Sequence, residues 1–133
     1  MRARTVAGAA VAAGALLVAP CALAQASGAA LFSKYCAACH QAQGQGIKGA
    51  FPALAGDALV QGDQKTAASV LLHGRGGMPN FSEDLSDADI ASVLTYVRSA
   101  FGNHAPPISV AAVAAARGGA SAAQDDQSAL PGH

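Results

Sequence analysis

Tyr35-Cys36-Ala37-Ala38-Cys39-His40, YCAACH in one-letter code, places two thiols three positions apart with an imidazole directly behind the second. Three chemistries use such a stretch. Structural zinc needs four ligands at coordinated spacings. Cys36 and Cys39 supply two, and the remaining histidines, His73, His104 and His133, form no pair at the required interval. A redox dithiol needs its two cysteines between a strand and a helix, whereas here an apolar helical pattern leads into the motif. Covalent haem attachment uses all three residues. The thiols add to the porphyrin vinyl groups, and the adjacent histidine becomes an axial iron ligand. The expectation is one covalently bound haem c on Cys36 and Cys39, with His40 on the iron.

An iron held by His40 has an opposite face to fill. Beyond Met1 the chain has one methionine, Met78, in the stretch GRGGMPNF (74–81). Gly76 and Gly77 would let backbone approach a flat ring closely, and Pro79 stiffens the chain behind the sulfur. A core-filling methionine rarely stands in a glycine loop beside proline. Met78 is therefore the expected second axial ligand, with His73 as the competing donor. Methionine with histidine raises a haem potential and closes both axial positions, which suits a carrier better than a catalyst.

The chain outside this region divides by composition. Residues 1–26, with Arg2 and Arg4, an Ala/Gly-rich apolar run and small-residue sites around Ala22–Ala26, read as a secretory signal peptide. The run is short for a membrane span. Cys21 follows Pro20, where a lipoprotein signal carries a small residue, so it is expected to leave with the leader. Loss of Arg2 and Arg4 turns a balance of 8 basic against 8 acidic residues slightly acidic. That excludes the basic surface a nucleic-acid partner requires. No later stretch is apolar for long enough to span a bilayer, so the exported product is expected to be periplasmic.

Residues 27–102 carry the folded domain, small enough to need a cofactor at its centre. Helices are expected over the stretch ending at the cysteine motif, over DQKTAASVLLHG (63–74) with Asp63 as cap and Gly74 as stop, and over LSDADIASVLTYVRSAFG (85–102). Ser86 and Asp89 form a capping box there. Ile90, Val93, Leu94, Val97 and Phe101 mark one buried face. No segment alternates as a strand, which predicts an all-α domain with glycine-rich loops. Residues 103–117 are expected to pack on the domain as an extension, and 118–133, rich in Ala, Gly and Ser, to be disordered.

These residues together resemble the class I cytochromes c over about Gly28 to Gly102. GAALFSKYCAACH is similar to that family's first helix, FPALAG (51–56) to its haem-side loop, and Tyr96 to the aromatic position of its last helix. The resemblance implies a cytochrome c-like fold, with first and last helices crossing near Gly28, Phe32, Val93 and Tyr96. It also implies that the Pro52 carbonyl accepts the ring N–H of His40. The sequence departs from the mitochondrial type in a shortened His40–Met78 interval and in lacking a dense lysine ring.

The segment from Gly74 to Arg117 resembles the last haem domain of the cytochrome subunits of bacterial alcohol dehydrogenases, with Gly102-Asn103, Pro106-Pro107 and Arg117 at matching places. The resemblance implies a single-haem electron carrier, a monomer or a member of a weak complex. It would run between a dehydrogenase or quinol-oxidising complex and an oxidase or peroxidase. Alternatives are a dedicated haem subunit of one dehydrogenase, and a gas sensor or peroxidase in which Met78 is labile and Arg75 or His73 is the distal polar group. Glu83, Asp84, Asp87 and Asp89 cluster at the start of the last helix, which leaves Ala38, Gly76, Gly77, Met78 and Pro79 as a weakly charged rim for docking.

Overall fold

The computed structural model describes residues 26–128. The expected leader, apart from Ala26, and the final residues 129–133 lie outside them. Six helices follow in order: α1 (Gly28–Tyr35), α2 (Ala37–His40), α3 (Ala58–Gln61), α4 (Gln64–His73), α5 (Asp87–Ser99) and α6 (Val110–Ser128). Among the described residues the only strand-like pairing is two isolated bridges, Ile47 with Phe51 and Arg75 with Met78. The domain is all-α, as the lack of alternation predicts.

Each helix start has a local cause. Ser27 accepts from the Ala30 N–H and opens α1. Asp63 accepts from both the backbone N–H and the hydroxyl of Thr66 to open α4. The Thr66 backbone bond, then its hydroxyl, hold the Asp63 carboxyl below its ordinary value. The stabilisation this carries is present above the unfolded-state value and is lost as pH falls through the lowered one. Ser86 and Asp89 complete the expected reciprocal capping box at α5.

Helices α1 and α5 cross at Gly28. A Cβ there would run into the Ser92 carbonyl and lie 2.7 Å from Tyr96 Cβ, so only hydrogen lets the two backbones approach this closely. Phe32 stacks beside the crossing, 5.7 Å from the Tyr96 ring and 5.1 Å from Phe101. The buried face of α5 runs through Ile90, Val93, Leu94 and Val97.

The pattern places Phe101 in that same helical face, and here the structure differs. Helix α5 stops at Ser99, and Phe101 sits at φ 59, with Gly102 following at φ 79. A left-handed conformation costs a non-glycine residue roughly 1–2 kcal/mol. The Phe101 ring offsets this by packing on Phe32 and Tyr96.

Helix α6 is the second difference. The sequence reading takes residues 103–117 as a packed extension and expects disorder from Gly118, whereas the helix runs unbroken through Gly118 and Gly119 to Ser128. Alanine, the strongest helix former, dominates its composition and offsets the ~1 kcal/mol each glycine costs. Its first half lies on α4 and α5, burying Val113 completely and Ala116 almost so. Arg117 then reaches back to the Asp87 carboxylate at 2.7 Å and to the carbonyls of Ser82 and Leu85, clasping α6 to the start of α5.

Arg98 is the largest fully buried side chain, 2% exposed. Its guanidinium donates to Val60 O at 2.6 Å, Gly62 O at 3.0 Å and Pro106 O at 2.7 Å. It thereby ties the end of α3 and the segment before α6 to α5. The expected result for Arg98→Met is a loss of about 2–4 kcal/mol, because the buried Val60 carbonyl and the partly buried carbonyls of Gly62 and Pro106 lose their donor. Urea unfolding checks it. A loss below ~1 kcal/mol would show that water replaces the guanidinium without cost.

Candidate functional site

The motif folds as a helical turn. The Cys36 N–H closes on Phe32 O at 2.9 Å, and His40 N–H on Cys36 O at 2.9 Å. Residues four apart on a helix share a face, so Cys36 and His40 point the same way, with Cys39 beside them. Gln41 then turns sharply, at φ 65, and releases the chain into the loop that carries Pro52.

His40 is buried, and its Nδ1 donates to Pro52 O at 2.8 Å. A carbonyl can only accept, so the ring proton sits on Nδ1 and the Nε2 lone pair is left to bind a metal. The ring lines an inner cavity of about 70 Å3 whose wall is otherwise Cys36, Met78 and aliphatic side chains from Leu54, α3, α4 and α5. A larger mouth of about 170 Å3 opens outward between Cys39, Phe51, Pro52, Arg75, Gly77 and Pro79. Cys36, His40 and Met78 line both spaces.

Met78 is presented by a tight turn in which Arg75 and Met78 exchange backbone bonds, at 3.2 and 3.0 Å. Gly74 and Gly76 both take positive φ in this turn, 74° and 58°. Gly74 is also hemmed in by Asn80 N and the Met78 carbonyl, whereas protein atoms leave the space beside Gly76 and Gly77 open.

Burial pushes the Cys36 thiol up to about 11, with the nearby Cys39 adding to the rise. A redox dithiol works through a lowered thiol value, so this environment opposes that reading. Among the described residues no group of three His, Cys, Asp or Glu side chains converges as a metal cage. The donors fit a flat, apolar, iron-bearing ring instead: two thiols at its edge, a buried imidazole with a free Nε2, and a thioether lining the same cavity.

Residues 23–97 match the family described as cytochrome C oxidase, cbb3-type, subunit III. The chain belongs to the cytochrome c family. Cytochrome c-552 of Thermus thermophilus is 39% identical over 104 residues, covering 66% of this chain and 69% of that protein. The cytochrome c subunit of the quinone alcohol dehydrogenase of Gluconobacter oxydans is 35% identical over 92 residues. A cbb3-type oxidase subunit of Azospirillum brasilense is 37% identical over 79. The chain spans only 19% and 27% of these two larger relatives, against 60% and 54% of its own length. The relatives are electron-transfer haem proteins or haem subunits, not themselves catalysts, and the family implies haem c binding.

Within this cytochrome, the competing donor His73 is exposed at the end of α4. It faces a groove shared with Lys65, Ser69 and α6 and does not line the cavity. His104 is exposed as well. Arg75 lines the mouth. Sequence reasoning missed Leu59 and Val60 as cavity wall, because α3 is one turn long and shows no period. It also missed Asn103, fully buried behind the loop that carries Pro52; its only signal was a glycine-asparagine pair read as a turn. No helix among the described residues is long and apolar enough to cross a membrane.

Proposed function

We propose that this chain is an exported, periplasmic single-haem cytochrome c. It carries one electron between a dehydrogenase or quinol-oxidising complex and a terminal acceptor. Cys36 and Cys39 hold the haem by thioether bonds, and His40 and Met78 take the two axial positions. The observation that carries the reading is the apolar cavity that Cys36, His40 and Met78 line together. Haem, when bound, supplies the one-electron iron couple. The protein's own part is to keep water from the iron with aliphatic side chains and to fix His40 through Pro52. Gly76 and Gly77 leave room for close approach on the Met78 side. Ala38, Gly76, Gly77 and Pro79 are exposed, Gly77, Met78 and Pro79 line the mouth, and together these five residues form the docking rim.

A second reading, a dedicated haem subunit of one dehydrogenase, is favoured by the likeness of this chain to part of alcohol dehydrogenase cytochrome subunits. Both readings predict a low-spin, six-coordinate haem whose ferrous form binds carbon monoxide weakly or not at all at neutral pH. Optical titration of the purified holoprotein checks this. Rapid, complete carbon monoxide binding would point to a sensor or peroxidase and overturn the carrier reading. Gel filtration with the candidate dehydrogenase separates free carrier from fixed subunit.

A further inference from the structure

His40 depends on Pro52, and Pro52 sits in a loop, residues 41–57, that has no helix of its own. The loop is knitted internally. Leu54 and Ala55 N–H both reach Gly44 O, at 2.7 and 3.2 Å. Gly46 N–H reaches His40 O at 2.9 Å, and Ile47 and Phe51 pair across its tip. Such a network can shift as a unit unless something ties it to the helices.

Asn103 makes that tie. It is 0% exposed. Its Oδ1 accepts from Gly56 N–H at 2.8 Å, while Nδ2 donates to Leu54 O at 3.0 Å and to Val97 O at 2.9 Å. One side-chain amide thus joins two loop positions to the last turn of α5. The first of these, Leu54, lies two residues beyond Pro52 and is itself cavity wall. The neighbouring Phe101 ring fills the space where a Cβ of Gly44 would stand, at the other side of the same loop. The chain just past α5 therefore grips the loop twice, and the unusual backbone at Phe101 and Gly102 is what turns Asn103 inward.

We propose that Asn103 is a positioning residue for His40. By holding Leu54 and Gly56 against α5, it keeps Pro52 O on the ring N–H of His40, and so sets the ligand's orientation and its electron donation to the iron. This rests on the reading of His40 as an axial ligand. A hydrogen bond to the far ring nitrogen raises ligand basicity and favours the ferric state. Loosening it raises the potential and lets solvent reach the ring proton.

The test uses the haem-loaded full chain. In Asn103→Ala, the His40 ring N–H, followed by NMR in the ferrous protein, is expected to exchange with solvent at least tenfold faster than in wild type, and the midpoint potential to rise. Leu72→Ala is the control: Leu72 is buried in α4 but does not line the cavity, so it should lower Tm and leave both readouts in place. A native exchange rate or an unmoved potential in Asn103→Ala overturns the proposal, as does an equal change in Leu72→Ala. If Asn103→Ala does not fold, wild-type exchange decides. The Gly56 amide and the His40 ring N–H should open with the same free energy across a denaturant series, and a Gly56 amide that opens while the ring N–H stays protected sinks the idea. Wild-type haem content and spectrum report separately on the ligand reading, so its failure is distinguishable from that of Asn103.

Discussion

Replacing Met78 by alanine leaves the haem attached and opens its sixth position: the expected product is high-spin, binds carbon monoxide readily and has a markedly lower potential. The argument is geometric and chemical. Met78 and His40 line one cavity, and His73, the other candidate donor, lies in a groove of α4 and α6 where it cannot replace the thioether without unwinding α4. Axial ligands move haem potentials over a span of about 0.8 V, so losing one of the two is a large perturbation. The turn around Met78 is closed by its own backbone bonds to Arg75, so the side chain can be removed with little effect on the fold. Optical spectra and a redox titration check both parts. A variant that keeps the native low-spin spectrum would name another residue as the ligand.

Replacing both Cys36 and Cys39 by alanine should remove covalent haem entirely and, with it, most of the fold. The core is thin. The side chains of Leu54, Val60, Leu71, Leu94 and Val97, part of the hydrophobic cluster, also wall a cavity, and unfilled apolar space forfeits contact energy that a small domain cannot spare. Haem-stained denaturing gels should show no signal, and far-UV circular dichroism should fall well below that of the native helices. If the double variant instead folds to native helix content without haem, the protein core, not the cofactor, organises the domain. A single Cys39→Ala should be milder, because Cys36 alone lines both the inner cavity and its mouth.

The legible parts of this molecule are those with short-range rules. A capping box at Ser86 and Asp89, an aspartate cap at Asp63 and a period of buried residues on α5 each depend on neighbours three or four positions away, and each is where the pattern puts it. The motif at Cys36–His40 is similarly local. What stayed hidden depends on partners far along the chain. Arg98 carries no local pattern that marks it as buried, and only the return of the chain through Val60, Gly62 and Pro106 turns it into a buried tie. Asn103 reads as a turn residue for the same reason. Helix α6 continues past Gly118 because low complexity and helical preference coexist in alanine-rich sequence, and it docks through Val113, Ala116 and Arg117. Phe101 matched the helical period by spacing alone, while its backbone had already left the helix.

The clasp of α6 bears on the order in which the domain can close. Polypeptides leave the ribosome N-terminus first, and a partly emerged domain exposes whatever its missing segments cover. Here the residues that follow α5 include Ile108, Val113 and Ala116, all buried, and Arg117, which pairs with Asp87. The faces of α4 and α5 beneath them therefore stand open until these residues emerge, and both the Pro106 partner of Arg98 and Asn103 itself arrive late. Such an order makes the closing of the domain wait for the docking of α6, whatever route the chain takes to its destination.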